Sequence, residues 1–287
     1  MREYIISTDS NSDIPTSYIA HNHITIIPQY YSFDDVVYGD ELNLTPEDFY
    51  QKMQDGELPT SMANNPAVIK EKFESLILQG KDILHIAFSS ALSGSYNNVA
   101  VVATELMEEY PEAKIIVIDS LTVSLAETIL ILEAIKKKNA GATIVETAEY
   151  IETIKSNIVV EFTVDDVNHL YRGGRIKKTT SVVLGLANIK PLLRLDDQGA
   201  LASSGIIRGR KKSLSTLANN MLERLTGSIT CNIAGIVHGN CLDDAKYLEG
   251  LIKMKQPDIQ IIINDISPSI GTHAGPGAIG LLYLLEK

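Results

Sequence analysis

Short β-branched and aliphatic runs alternate with stretches of helical period through the first half of the chain, the pattern of βαβ units and a mostly parallel sheet. Residues 4–7, 24–28, 83–88 and 115–118 read as buried strands. Thr45 followed by Pro46, Glu47 and Asp48 starts a helix with a cap, a proline and dipole-matched acids. Asn65 and Pro66 repeat the device for a helix through Leu78, ended by Gly80, and Thr143 with Glu146 forms a capping box for a helix to about Ile154. Beyond it the run 158–162 reads as a strand. IKPLLRL, the turn Asp196-Asp197-Gln198-Gly199 and ALASSGI then read as an antiparallel hairpin. From about Lys211 to Glu286 the pattern is helix, strand, helix, strand, helix, with strands at 229–237 and 259–263. The expected architecture is α/β in two lobes. Residues 1–155 form a mostly parallel sheet flanked by helices, residues 156–287 a mixed sheet with helices, and the junction is the expected ligand site.

Composition narrows the class. The 287 residues are 45% hydrophobic and 21% charged, a globular balance, and 25 Lys and Arg against 36 Asp and Glu leave a net charge of -11 that disfavours nucleic-acid binding. Cys231 and Cys241 are too few for a disulfide framework or a structural zinc site, which points to a reducing compartment. The apolar stretch at residues 4–6 is far shorter than that of a signal peptide, and the apolar runs at 129–132 and 278–285 are too short to span a bilayer. A cytoplasmic protein is expected, with no cofactor and no metal.

Several strands are followed by clusters of hydroxyls, Asp and Gly, at the sheet edge where ligands bind. STDSNSD at 7–13 reads as an Asx-rich turn, or as a ligand mouth shaped by Asp9 and Ser10. In SSALSGSYNN at 89–98, Ser93, Gly94 and Ser95 precede a helix through Glu109 and form a donor nest suited to an anion. PTSMANN at 59–65 adds the hydroxyls of Thr60 and Ser61, or is simply the loop before Asn65. SIGTHAGPGAIG at 269–280 frames His273 with glycines ahead of the last helix; it lacks the strand-helix-strand context of a dinucleotide site. Two basic stretches stand out, Arg172, Arg175, Lys177 and Lys178, then Arg208, Arg210, Lys211 and Lys212: solvated faces, or a patch for an acidic partner or phosphate. Asp165 and Asp166 read as a helix cap and first turn. No phosphate loop, HExxH, GxSxG elbow or kinase signature occurs. Hydroxyls and a His with no paired base and nucleophile suit a carboxylate receptor better than a reaction centre.

In order and spacing, TDSNSD, PTSMANN, SSALSGSYNN, VIDSLTVS, VDDVNHLYRGGRIKK, NIKPLLRLDDQGAL and GTHAGPGAIG resemble the DegV family of bacterial lipid-binding proteins across essentially the whole chain. The resemblance implies a two-lobe α/β fold and a long-chain fatty acid buried in a tunnel. It also implies service as the binding subunit of a bacterial fatty-acid kinase, whose separate catalytic subunit phosphorylates the carboxylate to an acyl phosphate. By position it implies carboxylate contacts from Thr60 or Ser61 and from Ser93, a polar network with Arg208 and His273, and docking of the kinase subunit at Arg172, with Arg175 in the same patch. Transient contact with a membrane surface for lipid exchange is expected too. The chain departs from the family pattern at Met62 and Ala63, where a glutamine and a proline are usual, and at Leu125, Ala126 and Glu127, where glycines are usual. Both differences bear on tunnel shape. Segments 83–88 and 115–118 are expected to wall the tunnel, with aliphatic side chains as its main lining because aromatic residues are 6% and Trp is absent. Two rivals stand beside this reading: a stand-alone hydrolase or phosphotransferase acting on a small anion at the Ser93 loop, and a lipid-sensing regulatory module.

Overall fold

The structure is a computed structural model that describes residues 2–176, 188–225 and 229–286. Lys177 and Lys178 of the first basic stretch lie outside the described residues. The first lobe begins β1 (Tyr4–Asp9), α1 (Thr16–Asn22), β2 (Thr25–Ile27), β3 (Tyr30–Phe33), β4 (Val36–Tyr38), α2 (Pro46–Gln54) and β5 (Thr60–Met62). It continues α3 (Pro66–Leu78), β6 (Asp82–Ala87), α4 (Ser95–Glu109), β7 (Ile115–Asp119), α5 (Leu125–Asn139) and α6 (Ile144–Ile154). The helix starts follow the chemistry of their caps. Thr45 Oγ1 accepts the Asp48 N–H at 3.1 Å, Asn65 Oδ1 accepts that of Ala67 at 2.9 Å, and Thr143 and Glu146 exchange bonds of 3.2 and 2.8 Å. Strands β2-β1-β6-β7 form the expected parallel sheet, and every residue of β6 is buried. A small antiparallel sheet, β4-β3-β5, is an addition to the expected elements. Its strands are three or four residues long, too short to leave an alternation in the sequence.

The second lobe runs β8 (Ile158–Thr163), α7 (Asn168–Arg172), β9 (Ile189–Leu195), β10 (Leu201–Arg208), α8 (Arg210–Arg224), β11 (Ile233–His238), α9 (Leu242–Lys253), β12 (Gln260–Asp265), α10 (Pro268–Ala274) and β13 (Ile279–Leu284). Its sheet, β10-β9-β8-β13-β11-β12, is antiparallel except for the parallel β11-β12 pair. The β9-β10 hairpin turns at Gly199, which sits at φ +72°. The Ser89 hydroxyl of the first lobe donates to the Gly199 carbonyl at 2.9 Å.

One expected element is of the wrong type. The segment opened by GPGAIG is a central strand, β13, and not a terminal helix; all six of its residues are buried and it pairs with β8 on one side and β11 on the other. A short, wholly apolar run does not by itself distinguish a buried strand from a buried helix. His273 accordingly lies in the last turn of α10, the helix before that strand.

Helix α5 joins the two lobes. Leu125, Ala126 and Ile129 enter the core shared with second-lobe residues such as Val160, Val237 and Leu282, while Leu130, Ile131 and Ala134 enter the core under the parallel sheet. A helix apolar on more than one side is buried on more than one side. Gly235 lets β11 approach it closely, since a Cβ there would stand 2.6 Å from the Leu125 Cβ.

Candidate functional site

A cavity lies between the lobes, over the C-terminal ends of the parallel strands. It encloses about 1040 Å³ of space, open solvent at the mouth included. The first lobe contributes the turns at 61–63, 92–94 and 123–124, and the second lobe contributes Val160, Phe162, Val237, Ile266 and Leu282 as the apolar wall. Of the segments expected to wall a tunnel, only Phe88 reaches it. The rest of 83–88 and 115–118 lies inside the parallel sheet and its flanking cores, because both faces of that sheet are already covered by helices. The lining is mainly aliphatic, with Phe88 and Phe162 as its aromatic members. Met62 and Ala63 line it, whereas Leu125 and Ala126 are core residues of α5 and do not.

The polar end gathers side chains from four places. Strand β5 pairs with β3 through Ser61↔Tyr31 and Thr60↔Ser32, and alternation along the strand turns its neighbouring side chains to opposite faces. Ser61 lines the cavity, and Thr60 is exposed on an adjoining outer groove. The Ser61 hydroxyl lies 2.6 Å from His273 Nε2. Gly173 packs flat on that imidazole: a Cβ at 173 would stand 1.9 Å from His273 Nδ1, so the glycine of RGGR is required by the histidine of THAG. Burial, then the nearby Arg175, hold the His273 pKa down at about 4, so the ring is neutral at pH 7. Its Nδ1 is buried with no hydrogen-bond partner among the described residues.

At the start of α4, Ser93 Oγ accepts the Ser95 N–H at 3.2 Å and lies 2.9 Å from Ser95 Oγ. Ser95 is fully buried and donates to Gln29 Oε1 at 2.7 Å; Gln29 in turn donates to Asp9 Oδ1 at 2.9 Å. Asn64 donates to the Ser95 carbonyl at 3.2 Å. Ser93 and Gly94 therefore face the cavity, while Ser95 belongs to the buried network that holds them. Asp9, expected at a ligand mouth, instead anchors this network, with its other oxygen accepting the Phe88 N–H at 2.9 Å. No local motif marks Gln29 and Asn64, because their roles arise from loops that the fold brings together from distant parts of the chain.

Arg175 is the main relocation. Grouped by sequence with a docking surface, it is half-buried, lines the cavity, and donates to the Leu92 carbonyl through Nε at 3.0 Å and Nη2 at 2.8 Å. Among the described residues no carboxylate lies within 4.0 Å of it. Arg208 is exposed at the end of β10 and is not among the cavity-lining residues, so the structure does not bring it into the network with His273. Arg172 is exposed, with Nη2 2.8 Å from His169 Nδ1. Asp165 and Asp166 are not the cap and first turn expected: they precede the helix, whose N-cap is Val167 with no side-chain cap bond; Asp166 Oδ1 accepts the Asn168 N–H at 2.9 Å, and Asp165 pairs with Lys190 and Arg210.

Behind the polar end lies a buried acidic group. Glu127 accepts from the Thr8 hydroxyl, and burial with Asp9 alongside pushes its pKa well above the usual carboxylate range. Asp13, bonded by the Ser124 hydroxyl and the Ser267 N–H, is pushed up to about 7 by burial. The Ser61-His273 pair looks like a nucleophile and base. It lacks a third group at Nδ1 among the described residues, and a histidine with a pKa near 4 is a weak base at neutral pH. The arrangement is suited to holding an anion.

The sequence profile of an uncharacterised DegV family matches residues 4–286. A DegV domain-containing protein of Clostridium perfringens is 36% identical, over 99% of this chain and 98% of its own length. One from Lactococcus lactis is 30% identical over 98% of both. Among solved structures, the fatty-acid-binding DegV of Bacillus subtilis superposes with a TM-score of 0.87 at 26% identity, covering 100% of both chains. The stearic-acid-binding protein of Eubacterium ventriosum gives 0.84 at 25%, covering 98% of both. Profile, relatives and two-lobe architecture agree over the whole length, and the chain belongs to the DegV family.

Proposed function

We propose that this protein binds a long-chain fatty acid, with its tail in the interlobe cavity and its carboxylate at the end formed by Ser61, Ser93, Arg175 and His273. The observation that carries this reading is the half-buried Arg175 guanidinium, without a carboxylate partner among the described residues, at a polar end of a mainly apolar cavity. A buried charge calls for a counter-ion, and a ligand carboxylate supplies one. Relatives of similar fold that bind stearic and vaccenic acids support the ligand class. A tail of about sixteen carbons, at ~0.8 kcal/mol per buried methylene, contributes on the order of 10 kcal/mol before association entropy is subtracted. The tail supplies affinity and the head sets direction.

In the same reading the protein has no catalytic step of its own. It presents the carboxylate to a separate kinase subunit that forms the acyl phosphate, with Arg172 beside the polar end as a docking cation and a membrane surface as the place of lipid exchange. Arg208 is left outside the head-group set. Incubation with [1-13C]hexadecanoic acid tests the reading: one bound carboxyl resonance per chain, lost or shifted in Arg175→Met, is expected. A resonance identical in wild type and Arg175→Met would overturn the head-group assignment.

A further inference from the structure

The interlobe cavity holds polar atoms away from Arg175. Asn11 and Ser269 both line it and are only 4% and 8% exposed, and Asn11 Oδ1 and Ser269 Oγ are buried without a hydrogen-bond partner among the described residues. Ser124 lines the cavity too; its hydroxyl donates to the Asp13 carboxylate, and its oxygen can still accept.

Helix α10 measures the distance from these atoms to the head-group end. Ser269, Ile270, His273 and Ala274 line the cavity from one face of the helix, with Ser269 one turn, about 6 Å along the axis, before His273. First-lobe segments meet the helix at both ends. Ser61 bonds His273 in its last turn, whereas at its start the Asp13 carboxylate accepts the Ser267 N–H at 3.0 Å and the Asp13 carbonyl accepts from Asn264 Nδ2 at 2.8 Å. Asn11 belongs to the segment held at the start of α10, so it sides with Ser269 and not with His273.

An alkyl chain crossing this stretch would strip water from both oxygens and offer them no bond in return, a loss for any buried polar atom. A hydroxyl on the chain both donates and accepts. It can bond Asn11 in either orientation of the amide, and the Ser269 hydroxyl can turn to suit it. A second carboxylate fits poorly, because Asp13 stands behind Ser124 and, among the described residues, Arg175 is the sole Lys or Arg in the lining.

We propose that Asn11, Ser124 and Ser269 form a subsite for a hydroxyl carried on the acyl chain, so that the cavity selects a hydroxylated long-chain fatty acid over the unsubstituted acid. The proposal rests on the fatty-acid reading of the cavity. A site built to hydrogen-bond a ligand hydroxyl discriminates against the analogue that lacks it, since its own polar atoms are then left unpaired. The step of one turn along α10 puts that hydroxyl in the half of the chain nearer the carboxylate.

Competition binding to the full-length protein, freed of endogenous lipid, tests the subsite with hexadecanoic acid as the reference. Among hexadecanoic acids carrying one hydroxyl in the carboxyl-proximal half, at least one isomer should bind about tenfold more tightly than the reference, and the ω-hydroxy isomer should show no gain. In Asn11→Leu the gain should vanish while hexadecanoic acid binds at least as well as it does to wild type. Ser269→Ala, which deletes one oxygen from α10, should reduce the gain and carries the test where Asn11→Leu does not fold. No isomer bound more tightly than hexadecanoic acid, an equal gain for the ω isomer, or a gain unchanged in both variants overturns the subsite and leaves the fatty-acid reading standing. Failure of every acid to bind overturns that reading as well.

Discussion

Arg175 carries its charge into the rim of an apolar cavity with the Leu92 and Gly173 carbonyls, and not a carboxylate, as its partners among the described residues. On the proposed reading that imbalance suits the site to an anion, and it sets the residue-scale expectations. Ser93→Ala removes one head-group donor but leaves Ser95, Gln29 and Asp9 in place; fatty-acid affinity should fall about 10- to 100-fold with little change in melting temperature. Competition binding and a thermal melt check both halves. His273 predicts a pH effect of definite sign. Its folded pKa of about 4 lies below the unfolded value of about 6.5, so its contribution to stability is fully present above the unfolded value and is lost as pH falls through the folded one. Denaturant midpoints of ligand-free protein should drop more steeply between these two values in wild type than in His273→Gln, by a difference on the order of 3 kcal/mol across the window. Parallel curves would show that His273 is not held neutral. At this scale the hydroxyl pair Thr60 and Ser61, Ser93 and His273 are legible in the sequence as candidates, since hydroxyls and a glycine-framed histidine at strand ends have local signatures, but not which of the pair faces the cavity. Arg175 is not: its neighbours Arg172 and Lys177 make it look like part of a surface run, and only the packing of α7 on α10 turns it inward.

The elements divide the same way between local and long-range causes. Caps identify α2, α3 and α6, helped in α2 and α6 by acidic first turns, and turn chemistry identifies the β9-β10 hairpin, because each is decided within a few residues. Strand β13 is hidden, because its partners β8 and β11 lie far away in sequence and an unbroken apolar run carries no period. Strand β5 is hidden by its brevity, and with it the rule that turns Ser61 inward and Thr60 outward. The interlock of α7 with α10 yields a test at this scale. Gly173→Ala places a methyl where His273 Nδ1 stands, so the ring must move, whereas Gly174→Ala, whose Cβ position is open but whose φ is +72°, acts on the backbone only. Fatty-acid affinity should fall about tenfold or more in Gly173→Ala, in step with a changed His273 ring resonance. An unshifted His273 resonance in Gly173→Ala would contradict the packing described.

On the scale of the whole molecule, two lobes joined along α5 make a cavity that neither lobe closes alone. The two lobes are legible in the sequence, but not that the apolar wall comes from the second lobe, a consequence of how the two sheets face each other. Arg172 belongs to this scale as a cation outside the cavity. If the proposed kinase subunit docks there, Arg172→Ala should keep fatty-acid affinity while acyl-phosphate production with that subunit falls, and the deficit should be larger at low salt than at high salt, where screening weakens the wild-type attraction. Initial rates at limiting protein, compared across ionic strength, decide the point; equal rates in both proteins would make Arg172 a solvated charge. The central claim, a fatty acid held head-first against Arg175, is tested most directly by native and denaturing mass spectrometry of the protein purified from a bacterial host, with and without added hexadecanoic acid. The account predicts a native mass with one fatty acid per chain, released on denaturation and depleted in Arg175→Met. A native mass equal to the bare chain under both conditions would contradict it.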